Sequence, residues 1–421
     1  MKIVMKTLDQ LGSVRRGKSK HRPRDATHLY DGPYPFIQTS DVKNAGLYIS
    51  EYTQTYSAAG LAQSKLWKPG TLCITIAENI GDTAILSFDA CFPDSIIGFV
   101  PDQKKSDVRY IKYLFDAVLQ KRFKKFTQGA TQDNLSQEKL LSIKLPLAED
   151  VNDQRIIADI LSAYDDLIKT NHRRIKLLEE AARLLFREWF VYFRFPLRLR
   201  SGQAGHEKAC PVESINSTGV KIVDGVPEGW KKGKIKDLGK IVTGKTPSKK
   251  DDRNYNGVVP FIKTPDMHQS TIILKAEESL SKTGASSQNN KHLPPWSILI
   301  SCIGTVGVVA MNLFKSQTNQ QINSVIPKNN IYRYYSFFCL SRLKPLLEAI
   351  GGGSTMANIN KNKFENIKTI IPSENVLSEF YKAIDPVFNQ IALLSDQNQK
   401  LAQARDLLLP RLMSGEIDPI R

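Results

Sequence analysis

The sequence predicts an α+β protein: two mixed α/β domains separated by two long antiparallel helices that form a coiled coil, the whole being an internal pseudo-twofold repeat. Three observations lead there. Blocks of residues recur about 226 positions apart, each recurring block is followed by a long heptad pattern, and the positive charge is concentrated in the blocks.

The repetition is read from three pairs of segments. "YPFIQTSDV" at 34–42 answers "VPFIKTPDM" at 259–267, an offset of 225. "PGTLCITIAENIGD" at 69–82 answers "PWSILISCIGTVGV" at 295–308, sharing a proline, alternating apolar positions and the pair Gly81/Gly307. "GATQDNLSQEKLLSIKLP" at 129–146 answers "GSTMANINKNKFENIKTIIP" at 353–372. Offsets that drift by so little describe one unit written twice. The boundaries that follow are 1–150 for the first domain, 151–195 for the first long helix, 196–230 for a linker, 231–371 for the second domain and 372–421 for the second helix.

A fourth pair raises a chemical question. "GSVRRGKS" at 12–19 and "GKIVTGKT" at 239–246 both match the phosphate-loop pattern of glycine, four residues, then Gly-Lys-Ser/Thr. A phosphate loop needs a buried apolar strand before it and a helix beginning at the Ser/Thr. Here "KHRPRD" follows Ser19 and Pro247 follows Thr246, and the upstream residues are punctuated by lysine. Each copy therefore reads as a turn between two surface strands.

Charge is the sharper clue. Residues 231–371 carry 21 Lys and Arg against 8 Asp and Glu, an excess of +13 within a whole-chain +17, whereas 1–150 carries +5 and the helical regions are near neutral. Such a body favours a polyanionic partner. The five cysteines (Cys73, Cys91, Cys210, Cys302 and Cys339) are scattered, and no signal segment or membrane-length apolar run is present, so a soluble cytoplasmic protein is expected, with no membrane partner.

From 153 to 192 a seam recurs at steps of four and three: Ile157, Leu161, Tyr164, Ile168, Asn171, Ile175, Leu178, Ala182, Leu185 and Trp189. Forty helical residues extend ~60 Å. The second copy places Phe380, Ile384, Val387, Ile391, Leu394, Asn398, Leu401, Leu408 and Leu412 at the same steps, with Arg405 at one seam position. Pro386 and Pro410 are expected to start, kink or end helical stretches there. Asn171 and Asn398 are either partly exposed polar residues or markers that fix register where the helices meet. Single helices of this length would not be stable apart, so mutual antiparallel packing is expected, with the two domains at opposite ends. The linker is rich in Gly, Pro and Ser, with one short strand expected near 220–223.

The order of domain, "IIADILSAYDDLIKTNHRRIKLLEEAARLLFREWF", linker ending "PEGW", second domain opening "LGKIVTGKTPSK" and closing "NQKLAQARDLLLPRLMSGEI" resembles the specificity subunit of type I restriction-modification systems over essentially the whole chain. "GKTPSK", the "GAT" and "GST" loops and "RDLLLPRLMSGEI" carry the resemblance most specifically; the first domain departs from it, with "GKSKHRP" in place of "GKTPS". The resemblance implies two target-recognition domains, each reading one half of a split double-stranded DNA target. It also implies conserved helical regions that hold the domains apart, set the half-site spacing and dock two modification (methyltransferase) subunits, with restriction/translocase subunits in the full complex. No cofactor is then expected on this chain: S-adenosylmethionine belongs to the modification subunits, and ATP and magnesium to the restriction subunits.

The residues give no independent sign of catalysis. "LPPW" at 293–296 puts leucine where an adenine methyltransferase needs a polar residue, and no Phe-x-Gly-x-Gly cofactor loop accompanies it. "PD" at 93–94 with "DQK" at 102–104 is too closely spaced for a nuclease centre, and the six histidines have neither metal nor triad spacing. A non-enzymatic DNA reader thus stands ahead of a fused modification enzyme and of a coiled-coil protein whose basic domains bind RNA or an acidic protein. Loop position and residue type assign phosphate contacts to Lys18, Lys20, Arg22, Lys245, Lys249, Lys250, Arg253 and Lys263. Base-edge candidates are Gln38, Thr39, Asn79, Gln132 and Asn134 in the first domain, and Thr264, Thr305, Thr355 and Asn358 in the second.

Overall fold

The computed structural model describes residues 1–77, 80–119, 136–195, 222–223, 225–268, 270–351 and 359–419. The chain divides into two compact units, one of residues 1–170 with 398–421 and the other of 171–397, so that the division passes through both long helices.

The first unit contains β1 (Ile3–Lys6), β2 (Gly12–Arg16), β3 (Tyr30–Phe36), β4 (Tyr48–Ile49), β5 (Gln54–Tyr56), β6 (Leu72–Thr75), β7 (Thr83–Leu86), β8 (Ile96–Pro101) and β9 (Leu145–Ala148). Its main sheet runs β2-β8-β6-β7-β4, antiparallel except for the parallel edge pair β4 and β7. The central strands are buried on both faces, which is why "LCIT" and "TAIL" are nearly continuous apolar runs. β3 and β5 form a separate ribbon, and β1 pairs with β9 just before the first long helix.

Residues 222–371 supply β10 (Ile222–Val223), β11 (Val226–Pro227), β12 (Lys231–Lys234), β13 (Gly239–Thr243), β14 (Tyr255–Ile262), β15 (Ile272–Ile273), β16 (Glu278–Leu280), β17 (Ile298–Ser301), β18 (Val309–Asn312), β19 (Gln317–Thr318), β20 (Ile322–Pro327) and β21 (Lys368–Ile371). The main sheet of this unit runs β13-β20-β17-β18-β15, again antiparallel with one parallel edge pair, β15 and β18. This is the strand order of the first unit, element for element. The likeness extends to irregularities: β3 and β14 both shift register near their starts, where Asp31 and Asn256 take φ of 60° and 57°. Short polar side chains are the ones that tolerate this left-handed conformation.

Both seams form the expected helices. The first spans Val151–Phe190 and the second Glu374–Met413, forty residues each. Asp150 begins the first, its carboxylate accepting from the Asn152 amide at 2.8 Å, and Gly415 at φ 76° follows the end of the second. The helices pack antiparallel inside each unit. Residues 151–170 lie against 398–413 in the first, where Ile157, Leu161 and Leu412 join the sheet core, with Leu408 packed against it. In the second, Ile384 and Ile391 lie in an aromatic-rich core against which Ile175, Leu178 and Leu185 pack. Leu394 is also buried, and Ile168 and Leu401 are half-buried. Asn171 is fully buried and donates to Gln397 Oε1 at 3.1 Å; Asn398 donates to the Ile168 carbonyl at 3.4 Å. The reading of these asparagines as partly exposed therefore falls away.

The second helix runs through Pro386 and Pro410 without ending at either. Both prolines are exposed, while Ile384, Phe388, Leu409 and Leu412 on the inner face are buried. The missing amide hydrogen bonds fall on the solvent side, and packing of the other face holds the helix together.

Of the linker, residues 222–223 and 225–230 are described. β10 and β11 form a hairpin, and Trp230 docks on Phe190, Phe193 and Phe195 with ring centroids 5.5–5.7 Å apart. Among the described residues, no helix is long and apolar enough to cross a membrane.

Candidate nucleic-acid interface

The glycines of the two Gly-x₄-Gly-Lys stretches are explained by packing. Gly12 and Gly239 open β2 and β13, where a Cβ would lie 2.3 Å from the Val100 carbonyl oxygen or 2.0 Å from that of Ile326. Gly17 and Gly244 follow the same strands, and a Cβ there would lie 2.2 Å from the Pro93 oxygen or 2.0 Å from that of Asn319. Backbone approaches this close admit only glycine. No α-helix follows either lysine: the next helical turns are 3-10 turns at Thr27–Leu29 and Asp252–Asn254. With no helix N-terminus beginning at Ser19 or Thr246, the loops lack the geometry of a nucleotide site.

What the loops do have is a fixed backbone bearing exposed cations. In the first domain the Lys18 amide donates to Phe92 at 3.1 Å, its carbonyl accepts from Ser64 Oγ at 2.7 Å, and Gln63 Oε1 accepts from the Lys20 and His21 amides. In the second the Lys245 amide donates to Thr318 at 2.9 Å, and its carbonyl accepts from Gln288 Nε2 at 2.8 Å. The side chains of Lys18, Lys20, Lys245, Lys249 and Lys250 are exposed, as is Arg22, whose guanidinium caps the Ser19 and His21 carbonyls at 2.7 and 2.8 Å.

The remaining candidates are more engaged. Arg253 makes a two-pronged pair with Asp251 at 2.8 and 3.0 Å, a hydrogen bond that holds the Asp251 carboxyl below its usual range. Lys263 is ion-paired with Glu278. Gln38 precedes the short helix Thr39–Asn44 and donates to Gln54 Oε1 at 2.9 Å. Thr39 and Thr264 are equivalent first residues of short helices and are 7% and 8% exposed, with the Thr264 hydroxyl itself buried. The amides of Gln38 and Lys263 donate to Asp41 and Asp266 at 2.8 Å in both copies. Thr305 is exposed in the turn after Gly304. Asn79, Gln132, Asn134, Thr355 and Asn358 lie outside the described residues.

Sequence reading passed over Arg15, Lys65 and Lys291. Lys65 Nζ stands 3.5 Å from the centre of the buried Trp67 ring. Lys65 and Lys291 each lie two residues before a bridging residue: Trp67 pairs with Ala90 and Leu293 with Ser316. Their offset of 226, the same as that of the flanking proline segments, is the signal in the sequence.

The fold is a duplicated one, with two α/β domains of a single strand order and two long helices packed together. The family model for the type I restriction modification DNA specificity domain matches residues 2–180 and again 227–403. The specificity subunit of the type I restriction enzyme HindI from Haemophilus influenzae is 31% identical, over 97% of this chain and 98% of its own length. That of MjaIX from Methanocaldococcus jannaschii is 23% identical over 98% and 93%. Among solved structures, the type I restriction-modification S subunit from M. genitalium superposes with a TM-score of 0.60 at 14% identity, over 98% of this chain and 96% of that one. The chain belongs to the type I restriction-modification specificity family, and is a DNA specificity subunit of such a system, a non-catalytic role.

Proposed function

We propose that each domain reads one half of a bipartite DNA target, while the paired helices dock the modification subunits and set the distance between the half-sites. The observation that carries this reading is the duplication itself. Two sheets of identical strand order each present a Gly-Lys loop whose backbone is pinned and whose lysine is exposed. Two equivalent readers suit a target in two parts.

Docking is supported by apolar side chains on the outer faces of the helices. In the second unit Leu177, Leu184 and Leu393 are 58%, 47% and 60% exposed, and in the first Leu407 is 71% exposed. Leucines this open on helices already packed along one seam suit a further protein partner. Two modification subunits, carrying S-adenosylmethionine, would sit there, with restriction subunits supplying ATP-driven chemistry in a cytoplasmic complex.

Replacing residues 231–371 with the corresponding domain of a relative tests the division of labour. Methylation mapping of a host carrying the chimeric system should show one half-site changed and the other intact. A change in both halves would mean one merged recognition surface.

A further inference from the structure

We propose that each domain holds a DNA phosphodiester between one loop lysine and one turn lysine: Lys18 with Lys65 in the first, Lys245 with Lys291 in the second. The inference rests on the DNA-reading function above and names the part of the surface that grips the backbone.

The two copies are built alike. Lys18 and Lys245 are the lysines of the Gly-Lys loops, and in both the main-chain carbonyl accepts a hydrogen bond from a side chain of the turn that carries the second lysine. Ser64, next to Lys65, donates to Lys18; Gln288, whose own carbonyl accepts from the Lys291 amide, donates to Lys245. Loop and turn are thereby tied together, so that in each domain the two lysines stem from backbone segments fixed to one another.

Lys18, Lys65, Lys245 and Lys291 have no carboxylate partner among the described residues. In the same domain as the first pair, Asp94 is engaged with Arg24 and Asp89 with Lys68, both at 2.8 Å. Lys65 is further confined over the Trp67 ring, and its ammonium is pushed below the ordinary lysine value by burial and then by the charges of Arg15 and Lys18. Confined like charges are relieved by an anion that several of them share. A phosphodiester is the anion that a DNA specificity subunit meets, and lysine holds it as a point charge without reading sequence.

Binding of the full chain to a specific duplex and to a scrambled one, across a salt series, tests the proposal. The variants are Lys18→Gln with Lys65→Gln, Lys245→Gln with Lys291→Gln, and Lys68→Gln as a control at a lysine that already has a partner. Each double variant should weaken both duplexes alike and lower the log-log salt slope by about one for every phosphate lost, while the control keeps the parent slope. A parental slope in either double variant, an equal fall in the control, or a loss confined to the specific duplex would overturn the clamp while leaving DNA reading intact. A flat slope in the parent chain would overturn both.

Discussion

Arg405 of the second long helix is ion-paired with Asp165 of the first, at the one place where the hydrophobic seam carries a full charge. The Asp165 carboxylate also accepts from the buried Tyr113 hydroxyl, whose pKa is pushed far up by burial and by the Asp165 charge. A cation at a seam position is thus matched by an anion on the facing helix and a neutral donor from the domain.

Arg405→Ala should cost about 2–3 kcal/mol, because it leaves a carboxylate that is 9% exposed with a single neutral donor. Arg405→Met combined with Asp165→Leu should recover most of that loss. Chemical denaturation of the single and double variants measures both, and a double variant as unstable as the single would show that the pair itself is not what holds the seam here.

Gly244→Ala and Lys245→Ala should behave in opposite ways. The first forces a Cβ to within 2.0 Å of the Asn319 carbonyl and should lower stability by at least about 2 kcal/mol. The second removes an exposed side chain and should leave the melting curve within about 0.5 kcal/mol of the parent. Calorimetry with ATP and magnesium should give no Lys245-dependent signal in either protein. A micromolar signal would restore the phosphate-loop reading of 239–246.

His292 makes stability fall on the acid side of neutrality. Burial, and then the charge of Lys315, lower its pKa below the ordinary 6.5. The unfolded chain therefore binds the proton first, and the contribution of neutral His292, intact above about pH 7, is lost as pH falls through 6.5 toward the folded value. The midpoint of unfolding should drop over that window, and His292→Asn should flatten the drop. An unchanged profile in the variant would assign the acid sensitivity to other groups.

Asn171 and Gln397 face one another across the helix pair, 3.1 Å apart, which makes them the place to lengthen both helices without breaking register. Seven residues inserted at each point keep the heptad and add ~10 Å of helix. If the helices set half-site spacing, the assembled complex should prefer a spacer about three base pairs longer, at ~3.4 Å each. An unchanged optimum in a folded, assembled variant would place the ruler in the partner subunits.

Much of this architecture is legible in the sequence because it repeats there. Heptad spacing predicts both helices, since burying one face of a 3.6-residue turn demands apolar residues at those steps, and offsets near 226 predict two domains of one fold. The seam asparagines and the exceptional glycines are visible as residues, but their roles are not. Whether Asn171 is exposed or buried, and whether Gly17 and Gly244 serve a phosphate or a neighbouring carbonyl, depends on atoms far away in the chain. The same holds for the surface cations. Sequence alone ranks Lys245, Arg253 and Lys263 together as loop cations, whereas folding pairs Arg253 with Asp251 and Lys263 with Glu278 and leaves the Lys245 side chain exposed, with no carboxylate partner among the described residues. Periodicity and repetition are local or additive properties that a linear sequence can display. Burial, ion pairing and the close passage of one backbone past another are relations between distant residues, and they come into being only when the sheets and helices pack.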